Sequence, residues 1–381
     1  MKSTLAVKIN HQLAGTLLCE SGSYLYRYHT TQPDQFISLT MPVRVADYQY
    51  HRLHPLFEMH LPEGYLLAVI KKHLSKVGFK DDFGLLQLIA PSVRGRITFG
   101  ESRYPAEQLT LDDLLHPHRG DLFQELVERF ALHSAVSGVQ PKVVILVKNR
   151  ATLKMEHYIV KSWGSDYPQL ALNEYFCMSV VKRAGVAVPD FYLSDDQRLF
   201  IMRRFDLLDD GTVLGFEDMC ALQAKHRDEK YDGSYEQVAK TIRAFVSPQY
   251  KKESLIQFFK MVVINNLLQN GDAHLKNFGL IYSGADAVKL APAYDVVCTT
   301  VYIRNDSAAL TLLGSRKWWG KKHLLRFGVE SCQLSLREAN GGYEECVAAL
   351  KETVDGVGFV GDGDLLWRVV EGALFIVSSP S

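Results

Sequence analysis

The sequence is short of the features that would place it in a special class. None of its six cysteines, Cys19, Cys177, Cys220, Cys298, Cys332 and Cys346, pairs into a CxxC motif, and most stand in apolar surroundings. That pattern predicts reduced core thiols rather than a disulfide framework. Neither sign of charge is in excess: 43 Lys and Arg balance 43 Asp and Glu, so a whole-chain pull on nucleic acid or membranes is excluded and only local patches remain. No apolar run approaches a membrane span, and MKSTLAVKINHQLAG holds no apolar stretch of the length a secretory leader needs. A cytoplasmic protein without membrane attachment is the expectation. Internal repeats and low-complexity tracts are missing too. With 47% hydrophobic and 23% charged residues, the composition is that of an ordinary globular chain and excludes long disorder.

What is present fills 381 residues, enough for two domains and an appended helical subdomain. Residues 1–105 read as a β-rich module: LAVKI alternates, Asn10-His11-Gln12 turns, and LAGTLL, SYLYRYH and FISLTMPV continue as strands. A helix opens at Pro62 and Glu63, turns Leu66, Leu67, Val69, Ile70 and Leu74 inward and stops at Gly78; DDFGLLQLIA is a second helix. The polar run YPAEQLTLDDLLHPHRG leads into residues 106–205, where the helix DLFQELVERFA precedes two strands, VVILV and a run ending at Lys161. Residues 206–381 are mainly helical and finish in a packing helix at GDLLWRVVEGALFIVSS.

The stretch INNLLQNGDAHLKNF, residues 264–278, concentrates polar groups behind a long apolar run. Upstream, Leu255, Ile256, Phe258, Phe259, Met261, Val262, Val263 and Ile264 surround a whole helix circumference, which predicts a buried helix broken by Gly271. Asp272, His274, Lys276 and Asn277 follow at once, then FGLIY as a strand. Asp272 and Asn277 lie five apart, the separation that protein-kinase catalytic loops use between the carboxylate facing the acceptor hydroxyl and the carboxamide holding magnesium. Asp295, at the end of the hairpin FGLIYSGADAVKLAPAYD, stands where a kinase keeps its second magnesium carboxylate. Three oxygen donors without Cys or paired His suit a hard cation. The plainer alternative is a helix C-terminus with polar loop residues and a turn aspartate.

Lys161 ends a strand that follows a polar, glycine-containing loop, the arrangement that holds nucleotide phosphates in a kinase small lobe. An edge-strand lysine is the ordinary reading. Glu174, opening the helical run NEYFCMSVVKRAG, is either its ion-pair partner or a first-turn acid favoured by the helix dipole. After two strands about Asp195-Asp196, MRRFD leads away from the sheet as a hinge, and Asp228 to Gly233 fall in a long loop. Arg316, Lys317, Lys321, Lys322 and Arg326, with Trp318 and Trp319, form a basic and aromatic cluster that either meets phosphate or a partner, or is a solvated loop with its tryptophans packed inward. A metal hydrolase using Asp272 and His274 is a poorer reading, because no second His or carboxylate stands at helical ligand spacing.

In the order SGVQPK, YIVK, NEYFC, MRRFD, GDAHLKNF and APAYD, with LPEG in the first 100 residues, the chain resembles the HipA family of serine/threonine kinases, toxins of bacterial toxin–antitoxin systems. The resemblance implies an α+β, protein-kinase-like two-lobed fold: a β-rich N-terminal subdomain (1–105), a small lobe (106–205) and a mainly helical large lobe (206–381). It implies ATP and Mg2+ as cofactors, Asp272 as the catalytic carboxylate and Asn277 and Asp295 as metal ligands. Lys161, Lys142, Ser137, Gly138, Val139, Gln140 and His274 would meet the nucleotide, and the backbone from Arg203 to Phe205 its adenine. The implied target is an aminoacyl-tRNA synthetase. The implied partner is a helix-turn-helix antitoxin, through which alone DNA would be met. In this family the loop SGVQPK is regulated by autophosphorylation of a nearby serine. Here Ala135 occupies the position of the commonest phosphorylated serine, so Ser137 or Ser134 takes that role or the loop is not self-regulated. The competing reading is a catalytically weak binding protein that acts with an antitoxin as a DNA co-repressor.

Overall fold

In the computed structural model of the protein, the residues described are 3–20, 22–64, 67, 81–100, 109–117, 122–130, 142–148, 155–162, 166–208, 210–356, 365, 368–369 and 371–372. They fall in two compact units, one of residues 1–164, 192–227 and 282–285, the other of residues 165–191, 228–281 and 286–381.

The first unit begins with an antiparallel pair, β1 (Ser3–Ile9) and β2 (Gln12–Glu20), joined at Asn10 and His11. Both turn residues lie at positive φ, 46° and 68°. That is what a two-residue turn matching strand twist demands, and Asn tolerates it better than most. Strands β3 (Ser23–Tyr28), β4 (Tyr48–Tyr50) and β5 (Ile97–Phe99) complete a sheet of order β4-β3-β2-β1-β5. The strand expected at FISLTMPV is absent; Ser38 and Met41 make only an isolated bridge. Side chains satisfy this backbone instead of a ladder: Ile37 N donates to Tyr28 Oη at 2.9 Å, and Leu39 N to the buried Glu217 carboxylate at 2.8 Å.

Helix α1 (Asp82–Ile89), capped by Asp81 Oδ1 on Gly84 N at 2.8 Å, buries Phe83, Leu85, Leu86 and Ile89 as expected. The helix expected through Leu66 to Leu74 lies outside the described residues apart from Leu67. A second sheet follows, of order β6-β7-β8-β10-β9, from β6 (Leu109–Thr110), β7 (Lys142–Lys148), β8 (Met155–Lys161), β9 (Phe191–Leu193) and β10 (Phe200–Arg203). Helices α2 (Leu111–Leu115) and α3 (Leu122–Phe130) precede β7. Val143, Ile145, Val147, Tyr158, Val160 and Ile201 of this sheet share one apolar core with Val7, Ile9, Leu17 and Phe99 of the first.

The second unit is helical. It contains α4 (Leu170–Arg183), α5 (Tyr235–Phe245), α6 (Pro248–Leu267), α7 (Lys321–Glu330) and α8 (Leu336–Gly356). α5 starts at a reciprocal cap between Ser234 and Gln237. α6 starts at Pro248, whose missing N–H costs nothing in a first turn. From Leu255 to Leu267 α6 is buried on nearly every face, and α4, α5, α7 and α8 all pack on it. The first unit also contains β11 (Gly215–Asp218); strands β12 (Gly279–Tyr282) and β13 (Val288–Leu290) neighbour one another.

The end of α6 differs from expectation. The helix stops at Leu267, and Gln269 rather than Gly271 takes the left-handed position, at φ 53°. Gly271 serves another purpose: a Cβ there would run into Asp306 Oδ2 and lie 2.8 Å from the Ser307 carbonyl oxygen. The glycine permits a close approach, not a helix stop.

Candidate active site

Behind α6, the loop from Asn270 to Phe278 is fixed by its own polar residues. Asn270 Nδ2 donates to Asn265 Oδ1 at 2.8 Å, and its Oδ1 accepts from Asp272 N at 3.1 Å. Gly271 N donates to Thr299 Oγ1 at 2.8 Å, and that hydroxyl donates to Asp306 Oδ2 at 2.5 Å. Leu275 N donates to the Lys230 carbonyl at 3.0 Å. A single turn, Leu275–Asn277, then presents Asn277. The loop is thereby held by the Asn265 and Thr299 side chains and the Lys230 backbone, the support that a geometrically demanding site requires.

Asn277 and Asp295 meet as the sequence spacing implied. Asn277 Nδ2 donates to Asp295 Oδ2 at 2.9 Å. Asp295 holds φ 61°, an uncommon conformation for a residue with a side chain and one that clusters at functional sites. Asn277 is 4% exposed, and its Oδ1 has no hydrogen-bond partner. A buried carbonyl oxygen left unbonded costs about 1–3 kcal/mol unless something else engages it. An amide oxygen beside a carboxylate is a donor set that suits a hard cation. The described residues contain no cluster of three or more His, Cys, Asp or Glu at metal-binding distance. One carboxylate and one amide oxygen fit magnesium, which completes its shell with water and phosphate oxygens.

Asp272 keeps its carboxylate accessible, with the side chain 47% exposed. Tyr231 Oη donates to Asp272 Oδ1 at 2.6 Å. His274 is buried, and burial, followed by the nearby Lys230 charge, pushes its pKa down to about 3. The imidazole is therefore neutral, and its Nε2, 3.9 Å from Asp272 Oδ1, forms no ion pair at ordinary pH. Its Nδ1 is buried without a hydrogen-bond partner. Nothing local announced Tyr231 in the sequence, since it stands 41 positions before Asp272 in a polar loop.

In the first unit, Lys161 is not an edge-strand lysine. It lies on the central strand β8, is 2% exposed, and its Nζ sits 5.7 Å from the Phe200 ring centroid. Its register partner on β7 is Lys142, itself buried. Residues directly opposite on antiparallel strands share a face, their Cβ atoms about 4.5–5.5 Å apart. At the hinge, Arg204 N donates to the His157 carbonyl at 2.9 Å, Arg203 Nη2 lies 3.7 Å from Glu156 Oε1, and the Phe205 ring packs edge-on against Phe216.

Glu174 is fully buried on α4, in the second unit. Because α4 begins at Leu170, Glu174 is not in its first turn, and the helix-dipole alternative falls. The loop with Ser134, Ala135, Ser137, Gly138, Val139 and Gln140 lies outside the described residues. In the basic cluster, Arg316 Nη2 donates to the Tyr231 carbonyl at 2.7 Å, and the Asn266 side chain bonds both backbone groups of Trp319, at 2.7 and 2.8 Å. Part of that cluster is thus structural.

A family model of the HipA-like C-terminal domain matches residues 134–354, and one of the HipA N-terminal domain matches residues 5–100. The chain belongs to the HipA family. Among curated relatives, it is 28% identical over 297 residues to "Putative kinase Y4dM" of Sinorhizobium fredii (strain NBRC 101917 / NGR234), covering 69% of this chain and 66% of that protein. It is 29% identical over 185 residues to a "Putative kinase" of Haemophilus influenzae (strain ATCC 51907 / DSM 11121 / KW20 / Rd), covering 44% of this chain and 53% of that protein. The matches thus span from about half to about two-thirds of these relatives. Among solved structures, it is similar to a chain of the Shewanella oneidensis MR-1 toxin antitoxin system HipA, HipB and operator DNA complex. That match has a TM-score of 0.71 and 18% identity, covering 98% of this chain and 96% of the other. The fold class is therefore the one expected, α+β with a β-rich N-terminal region and a helical C-terminal part. No helix among the described residues is long and apolar enough to cross a membrane.

Proposed function

We propose that the chain is an ATP- and magnesium-dependent serine/threonine protein kinase, the toxin of a toxin–antitoxin module. The observation that carries this reading is the Asn277 amide. Its nitrogen is committed to Asp295 and its oxygen is buried and unbonded, five residues beyond the exposed carboxylate of Asp272. In a phosphoryl transfer little covalent chemistry falls to the protein, and positioning with charge neutralisation does most of the work.

In this reading Asp272 orients the acceptor hydroxyl and takes its proton as the oxygen–phosphorus bond forms and the bond to ADP breaks. Asn277 Oδ1 and the Asp295 carboxylate hold magnesium, which supplies charge neutralisation on the phosphates. Lys161 and Lys142 bind phosphate oxygens, while the Ser137–Gln140 loop and His274 complete the nucleotide contacts. The backbone at Arg203 and Phe205 meets adenine; the Arg204 N–H is already engaged. Phosphate on Ser137 or Ser134 would weaken nucleotide binding by like-charge repulsion. The target proposed is an aminoacyl-tRNA synthetase, and the antitoxin a helix-turn-helix protein that brings the chain to DNA indirectly. The domain limits proposed remain 1–105, 106–205 and 206–381.

The test uses labelled ATP, magnesium and a heat-treated bacterial lysate as the pool of acceptor proteins. Label should enter lysate proteins with the unmodified chain and not with Asp272→Ala of equal melting temperature. Equal labelling by the two overturns the assignment. Phosphoproteomics of cells expressing either chain then identifies the target. A co-repressor without catalysis would instead bind no nucleotide in a magnesium-dependent way, which calorimetry measures.

A further inference from the structure

Tyr231 is the residue that touches the proposed catalytic carboxylate and that no sequence motif marks. Its hydroxyl donates to Asp272 Oδ1 at 2.6 Å. The backbone around it is pinned from several sides. Lys230 O accepts from Leu275 N at 3.0 Å, Asp232 N donates to Glu229 O at 2.9 Å, and the Tyr231 carbonyl accepts from Arg316 Nη2 at 2.7 Å. The ring meets His274 edge-on with centroids 5.1 Å apart, and Lys230 Nζ lies 5.2 Å from the Tyr231 centroid. These contacts hold the Tyr231 backbone and pack its ring against His274 beside Asp272.

The consequence follows from hydrogen-bond chemistry. A phenol O–H donating to one carboxylate oxygen fixes the plane of that carboxylate. His274, neutral and packed against the same ring, sets the ring angle without competing as a charged partner.

We propose that Tyr231 is a positioning residue for Asp272: its hydroxyl orients the carboxylate toward the acceptor hydroxyl. Arg316 serves the same end by holding the Tyr231 backbone, which gives the basic stretch a role inside this chain. The inference rests on the kinase reading above.

The test measures label transfer from ATP and magnesium to heat-treated lysate proteins by the full chain and by Tyr231→Phe. Removing one hydroxyl leaves the ring and its packing, so Tyr231→Phe should melt like the parent. Its kcat should fall about tenfold, the scale of one lost charge-assisted hydrogen bond, with KM for ATP unchanged. Arg316→Ala should lower kcat less. Parent and Tyr231→Phe with equal kcat overturn this inference alone. Absence of transfer by the parent overturns the kinase reading, and this role with it.

Discussion

The Asn277 amide nitrogen and Asp295 Oδ2 lie 2.9 Å apart, and Asp295 meets that bond from a left-handed backbone at φ 61°. Bond and backbone make separable demands on position 295. Asp295→Asn keeps a residue that tolerates positive φ, so it should fold and melt near the parent while losing magnesium-dependent ATP binding in calorimetry. Asp295→Ala should lose the same binding and also about 1 kcal/mol of stability, because alanine has no local polar compensation for that conformation. Equal melting of the two variants would show that the backbone demand is negligible.

Gly271 and Asp306 form the second testable contact. A methyl group at Gly271 would collide with Asp306 Oδ2, which is joined to Gly271 through Thr299, and crowd the Ser307 carbonyl. Gly271→Ala should therefore cost about 1–3 kcal/mol, the range for inserting a methyl group into a well-packed site. Adding Asp306→Ala should recover part of that loss, since the clash partner is then gone. Urea denaturation of the two single variants and the double variant supplies the cycle; strict additivity would rule out the contact.

The parts of this site that were legible in the sequence are those that one short segment carries. Asp272, His274 and Asn277 share a single loop, and Asp295 follows one hairpin later, so spacing alone brings them together. Tyr231 was illegible because its contact closes a separation of 41 residues between two irregular segments. The same limit explains the fold. Alternation and the Asn10-His11 turn specified β1 and β2 from local chemistry. FISLTMPV carried a β-rich composition, yet its backbone is satisfied by Glu217, 178 residues away from Leu39. The chain stop after α6 was misplaced because Gly271 is conspicuous and Gln269 is not, although Gln269 adopts the left-handed conformation.

Three histidines, His54 and His274 buried and His157 half-buried, predict acid sensitivity. Burial lowers the pKa of His54 and His157 to about 4 and that of His274 to about 3. In the unfolded chain these groups titrate near 6.5, so between the two values the unfolded state binds more protons. Stability from all three is present above about pH 6.5 and drains away as pH falls toward 4. Urea unfolding at pH 7, 6 and 5 should show a steep decline. His157→Asn should flatten that decline, and an unchanged slope would count against a neutral imidazole there.

Glu217 should be among the least replaceable residues of the first unit. Its buried carboxylate accepts from Ser38 Oγ at 2.6 Å, Leu39 N at 2.8 Å and Tyr282 Oη at 2.8 Å. Burial raises its pKa, while those three donors pull the other way. Glu217→Gln has one acceptor oxygen instead of two and presents N–H donors to groups that are themselves donors. It should lose about 2–3 kcal/mol, most of it as donors left unsatisfied in the interior. Glu217→Ala should lose more, because all three donors lose their acceptor. The Phe36 ring stacks on Tyr282 at 5.5 Å and the Arg96 guanidinium lies 4.4 Å over Phe36, so a change at Glu217 frees an aromatic and cationic stack as well. Near-ultraviolet circular dichroism should therefore change in Glu217→Ala before global unfolding, and a spectrum identical to the parent's would show that Glu217 does not hold this stack.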